Sequence, residues 1–184
     1  KALTFSQKAA QTFPDEMVTK IDLAKALLDN KRYEESLAIL EKTETLPYEG
    51  ASKVHDMFVH CHIQLAFENI RKCNYARAIQ CLENSKAYPE HLGTGKPYNP
   101  DFRMHDYLKA LCYDKIGAKD KAEEARKLIY DYTLRHWTAQ RKNQYFGGLV
   151  LQHFGEQEKA EQLLNKGKPS VELLELIKTF GDSK

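Results

Sequence analysis

The sequence predicts an all-α fold of repeated helical hairpins, on three observations. Four segments share one pattern of helix, tight polar turn and second amphipathic helix. Small residues recur at two fixed places in each. No alternating β-branched run of the kind that makes strands lies between the turns.

The segments are "LAKALLDNKRYEESLAILEKTETLP" (23–47), "LAFENIRKCNYARAIQCLENSKAYP" (65–89), "KALCYDKIGAKDKAEEARKLIYDY" (109–132) and "GGLVLQHFGEQEKAEQLLNKG" (147–167). Aligned on their turns, they place Ala24, Ala66, Ala110 and Gly148 in the first helix. Ser36, Ala78, Ala122 and Ala160 stand 12 residues later in the second. A small side chain at both places lets two antiparallel helices approach closely, and a bulky one would wedge them apart. Tyr33 and Tyr75 follow the turn, and Leu40, Leu82 and Leu164 lie one turn beyond the small residue, where they fill the seam. Pro47 and Pro89 close the first two units, since proline stops a helix.

The units are therefore expected at about 17–47, 55–89, 101–135 and 139–167 within one domain spanning 1–184. A leading helix is expected over 4–13, ended by Pro14. A last helix is expected over 170–181, capped by Ser170 and ended by Gly181, with Leu173, Leu174, Leu176 and Ile177 covering an apolar end.

The small-residue spacing, with "YEESL", "YARAI", "DKAEEA" and "EKAEQL" after the turns, resembles the tetratricopeptide repeat (TPR) over residues 17–167. The resemblance implies a right-handed α-solenoid whose first helices line a concave groove. The chain departs from the family in unit spacing, which runs 42, 44 and 38 rather than 34. Lys20, His62, Asp106 and Gln144 stand where the family has Trp, and Asn69 where it prefers an aromatic.

The bulk numbers fit this reading. The chain has 184 residues, 42% hydrophobic and 29% charged, long enough to bury a core and too polar for a membrane span. Its net charge of +2 arises from interspersed acids and bases, which is no footprint for nucleic acid. Cys61, Cys73, Cys81 and Cys112 sit in helical patterns among apolar residues, where Cys acts as a small hydrophobe, and are expected reduced and buried. Reduced cysteines tilt the compartment towards the cytoplasm. The opening Lys1-Ala2-Leu3-Thr4-Phe5-Ser6 has neither an initiating Met nor a signal-peptide core, so a fragment of a longer protein is expected.

Three stretches carry residues of the kind that chemistry needs. Gly93-Thr94-Gly95-Lys96 suggests a phosphate cradle, but a P-loop needs a glycine where Glu90 stands and a hydroxyl where Pro97 stands. The loop is better read as an enlarged connector in which Asn99 caps the next helix and Pro100 opens it, with Thr94, Lys96 and Tyr98 as candidate contacts. His60-Cys61-His62 cannot converge on a metal, because successive helical residues point about 100° apart; no C-x-x-C or H-E-x-x-H occurs. Glu34-Glu35 and Glu123-Glu124 read as charged helix surface, and no catalytic motif stands out. The reading is non-catalytic, with no cofactor and no metal.

Offsets from the TPR small position imply groove residues Val18, Ile21, Lys25 and Leu28, then His60, Ile63, Phe67 and Ile70. The third unit gives Met104, Tyr107 and Leu111, and the fourth Lys142, Tyr145 and Leu149. Several of these could instead be core. One TPR subclass clamps a chaperone's terminal carboxylate; here Ile21, Lys25, Gln64 and Leu108 occupy its positions, so that clamp is not expected. An apolar, aromatic groove with basic edges at Lys25, Arg71 and Lys142 implies a protein or peptide partner, or the rest of the chain's own polypeptide. More loosely, "YPEHLGTGKPYNPD" before the third hairpin looks like the tail of large uncharacterised bacterial proteins with carbohydrate-related β-sandwich domains. That resemblance implies an accessory helical module as the alternative role.

Overall fold

A computed structural model describes residues 1–45, 51–138 and 141–181. They form ten α-helices and one short 3-10 helix, and no strand occurs among the described residues. The helices are α1 (Ala2–Thr12), α2 (Met17–Asp29), α3 (Tyr33–Leu40), α4 (Ala51–Arg71) and α5 (Tyr75–Asn84), followed by α6 (Arg103–Lys115), α7 (Lys119–Arg135), α8 (Arg141–His153), α9 (Gln157–Leu164) and α10 (Val171–Gly181). The all-α expectation holds. The chain divides into two compact units, one of Lys1–Ala66 with Glu83–Tyr98, the other of Phe67–Leu82 with Asn99–Lys184.

The repeat is visible in its turns. Lys31, Cys73, Gly117 and Gly155 all adopt left-handed backbone, with φ of 60°, 56°, 75° and 83°. Each stands seven residues after the small residue of its first helix. The following N–H reaches back five residues in every case: Arg32 to Leu27 (2.9 Å), Asn74 to Asn69 (2.8 Å), Ala118 to Tyr113 (2.9 Å) and Glu156 to Leu151 (2.9 Å). This is the bond pattern of a Schellman C-cap, which satisfies carbonyls the helix end would otherwise leave open. Four turns of one geometry at one register make the chain a helical repeat.

The seams are as tight as the spacing predicts. Ala24, Ser36, Ala66, Ala78, Ala110, Ala122, Gly148 and Ala160 are all buried. In the first unit, α2 packs on α3 and Ser36 Oγ donates to the carbonyl of Ala24 at 2.8 Å. In the second, α8 packs on α9, and a Cβ added at Gly148 would lie 2.9 Å from Leu164 Cγ and 3.1 Å from the Ala160 carbonyl. Next to it, a Cβ at Gly147 would meet Thr133 Oγ1 at 2.6 Å, so α8 lies against α7 as closely as against α9. Leu173 and Leu176 of α10 are buried as expected, and Leu173 N–H donates to Ser170 Oγ at 3.3 Å.

Several expectations are corrected. Helix α5 ends at Asn84, well before Pro89, because turn bonds from Lys86 and Ala87 N–H to Glu83 and Asn84 close it first. Asn99 does not cap α6. The helix begins at Arg103, and the carboxylate of Asp101 accepts from the Arg103 N–H (3.1 Å) and from its guanidinium (3.0 and 2.7 Å). Cys73 is exposed in the second turn rather than packed in a helix, whereas Cys61, Cys81 and Cys112 are buried; all four are free thiols. Pro47 lies outside the described residues.

Candidate functional site

Three of the residues predicted to face a groove, Tyr107, Leu111 and Leu149, line one cavity in the third and fourth hairpins. Tyr107 and Leu111 stand one turn apart on α6, which puts them on one face. Leu149 comes from α8, which also packs against α6. Together with Arg126 of α7 and Gln152 and His153 of α8 they enclose a cavity of about 310 Å³. Its size suits one large side chain.

The rim is charged and its charges pair with one another. Arg126 pairs with Asp114 and, at 3.5 Å, with Glu123, whose other neighbour is His153 Nε2 at 3.1 Å. Two carboxylates therefore flank one guanidinium, so the Arg126 cation of the rim is already paired. Inside, burial pushes the Tyr107 hydroxyl up to about 12, with Tyr145 adding to the rise, so the phenol stays neutral at any ordinary pH. Tyr107 packs on Phe146 at 5.5 Å between ring centroids, and Tyr145 meets the same ring edge-on at 5.9 Å. The arrangement is an apolar recess with a neutral hydroxyl and a zwitterionic edge.

The other predicted contacts lie elsewhere or face differently. Lys25 is exposed and paired with Asp29 at 3.0 Å, and Arg71 is exposed and paired with Glu172 of α10 at 2.8 Å. His60 is exposed. Phe67 is a correction: at 4% exposure it is core, since the same small-residue register that aims it inward also shields it. Ile70 is buried too, while Val18 is largely exposed. The side chain of Lys142 lies outside the described residues. In the connector, Thr94 and Lys96 line a second cavity of about 610 Å³ with Lys86, Tyr88 and Glu90, and Tyr98 points away at 96% exposure. Of the histidine triplet, His62 is buried edge-on to Phe58 at 4.6 Å and Cys61 is buried, while His60 faces solvent. Arg126, Gln152 and His153 were not foreseen; the three-residue spacing from Glu123 to Arg126 is the one signal that could have pointed to the rim pair.

No protein-family model matches the chain, and no curated protein matches it. The crystal structure of MamA aligns with 97% of this chain and 88% of its own, at 18% sequence identity and a TM-score of 0.43. That similarity is too distant to assign a function. No described helix is long and apolar enough to cross a membrane.

Proposed function

We propose that this chain is a non-catalytic protein-interaction module whose Tyr107–Leu111–Leu149 recess takes an apolar side chain of a peptide or neighbouring domain. The observation that carries this reading is the convergence of three groove-register residues on one cavity. Tyr107 gives contact area at low entropic cost, as aromatics do in binding hot spots, and Leu111 and Leu149 complete an apolar wall around it. The rim argues for the chemistry of the occupant. Because Arg126 is already answered by Asp114 and Glu123, an acidic tail gains little there, and a neutral apolar anchor is preferred.

The test is selection of a displayed random-peptide library on the full chain, followed by affinity measurements on two variants. Selected peptides should share a large apolar residue, and Leu111→Asp and Leu149→Lys should each weaken them about tenfold or more while leaving the melting temperature unchanged. Peptides that bind both variants as well as the parent defeat the site. Variants that only lower the melting temperature make these residues core.

A further inference from the structure

We propose that the segment bound in the Tyr107 recess carries a lysine or arginine one or two residues from its apolar anchor. The inference rests on the reading of that recess as a side-chain pocket and adds the charge that flanks the side chain.

The pattern along α6 is the first observation. Tyr107, Leu111 and Asp114 are spaced four and then three residues apart, so they form one stripe on the helix. The stripe is apolar at two positions and acidic at the third. On α8, Leu149 is followed four residues later by His153, and both line the cavity. The recess is therefore apolar towards the middle of both helices and polar where they end, at Lys115 and His153.

Exposure sets the sign of that polar edge. Arg126 pairs with Asp114 and Glu123, and its side chain is only 14% exposed. The carboxylates of Asp114 and Glu123 are 40% and 51% exposed. The guanidinium is thus spent in the wall, while the carboxylates face solvent. Counted with a neutral His153, two negative charges stand against one positive, a surplus of one carboxylate. Glu123 meets Arg126 and His153 through Oε2, and Asp114 meets Arg126 through Oδ2. No hydrogen bond among the described residues uses the other oxygen of either carboxylate. Arg126 is the only lysine or arginine among the described lining residues, so no second base of the wall competes for them.

Helix geometry places the partner's base. Asp114 lies three residues past Leu111, about 4.5 Å along the helix axis. An extended segment advances about 3.3 Å per residue. A base one or two residues from the anchor therefore stands level with the carboxylates, whichever way the segment runs. An acidic residue there would meet the surplus carboxylate. Attraction at so exposed an edge is modest and selects the partner more than it tightens binding.

The probe is a displayed library of short peptides with a fixed central leucine. Lys, Gln and Glu stand in equal shares at the two positions on either side, and the peptides are retained on the full chain at low salt. Lys should be enriched over Glu about two- to fivefold, and the enrichment should shrink as salt is added. Glu123→Gln leaves one carboxylate for one guanidinium and should remove most of the enrichment; Glu123→Lys should turn it towards Glu. Both replace a half-exposed side chain, so the fold is kept. Leu111→Asp should release all peptides alike. Leucine-dependent capture with equal retention of Lys, Gln and Glu, or with Glu preferred, overturns the basic flank and leaves the recess standing. So does a Lys enrichment unchanged by Glu123→Gln and Glu123→Lys. A parent that retains no peptide, or retention that Leu111→Asp does not disturb, defeats the recess itself and the basic flank with it.

Discussion

Lys31 and Cys73 hold the left-handed position in the first two hairpin turns; Gly117 and Gly155 hold it in the last two. The bond pattern is the same in all four, so the geometry is imposed by helix closure and not by the residue. Only the conformational cost differs. A residue with a Cβ pays about 1–2 kcal/mol to sit there, and glycine does not. The two halves of the repeat series also secure themselves differently. In the first hairpin the seam carries a neutral Ser36–Ala24 bond, and its ion pairs, Lys25–Asp29 and Arg32–Glu35, are exposed. The third hairpin opens on Asp101 and Arg103, an ion pair whose side chains are almost wholly buried. The Tyr107 recess lies among the last two hairpins, whose helices carry this pair and the glycine contacts of α8.

The largest expected effect breaks that second mode. Arg103 sits over the Tyr132 ring at 5.3 Å as well as on Asp101, while Asn143 donates to the Asp101 carbonyl at 3.3 Å. Arg103→Ala leaves a carboxylate buried without its cation, which should cost about 3–5 kcal/mol in denaturant unfolding. Replacing both partners, as Asp101→Ala with Arg103→Met, should recover much of it, because the stranded charge is gone. A double variant as unstable as the single would mean that packing around the pair matters more than its charge. No exposed pair of the first hairpin should behave this way.

A smaller effect isolates the turns. A Cβ at Gly155 would touch nothing within 4 Å, so Gly155→Ala changes backbone strain and little else. With φ at 83°, about 1–2 kcal/mol should be lost in denaturant unfolding. Lys31→Ala, at the equivalent place in the first hairpin, should be nearly silent, since one Cβ replaces another. Equal losses at both positions would show that Gly155 serves some purpose other than its φ.

How far these features were legible follows from how narrowly each constrains the residue. The seams could be read because steric exclusion admits only Gly, Ala or Ser, and eight such residues recur at one spacing. Helix ends were read less well. Pro89 forbids a helix without saying where it has already stopped, and Asn99 is as good a cap by type as Asp101, which lies two residues nearer and also holds Arg103. Lys31 and Cys73 gave no sign of positive φ, because only register against the glycines reveals it. At the site, Tyr107, Leu111 and Leu149 came from register too, yet Phe67 followed the same rule into the core: an apolar residue suits a groove and an interior equally. Gln144 was noticed only as a departure from a family pattern. Its burial, with Nε2 on the Trp137 carbonyl, is a property of three dimensions.

The last and smallest effect runs the comparison in reverse. If Lys31 is strained because it lacks glycine's freedom, Lys31→Gly should relieve about 1–2 kcal/mol of native-state cost. Glycine also loosens the unfolded chain, which returns about 0.5–1 kcal/mol of it. Lys31 is exposed, so no packing is lost with the side chain. The net expectation is a gain of between about 0 and 1.5 kcal/mol, seen as a small rise in the denaturant midpoint without a change of slope. A loss instead would mean that the aliphatic stem of Lys31 stabilises the turn by more than its left-handed backbone costs. The glycines of the later turns would then differ from Lys31 in more than conformation.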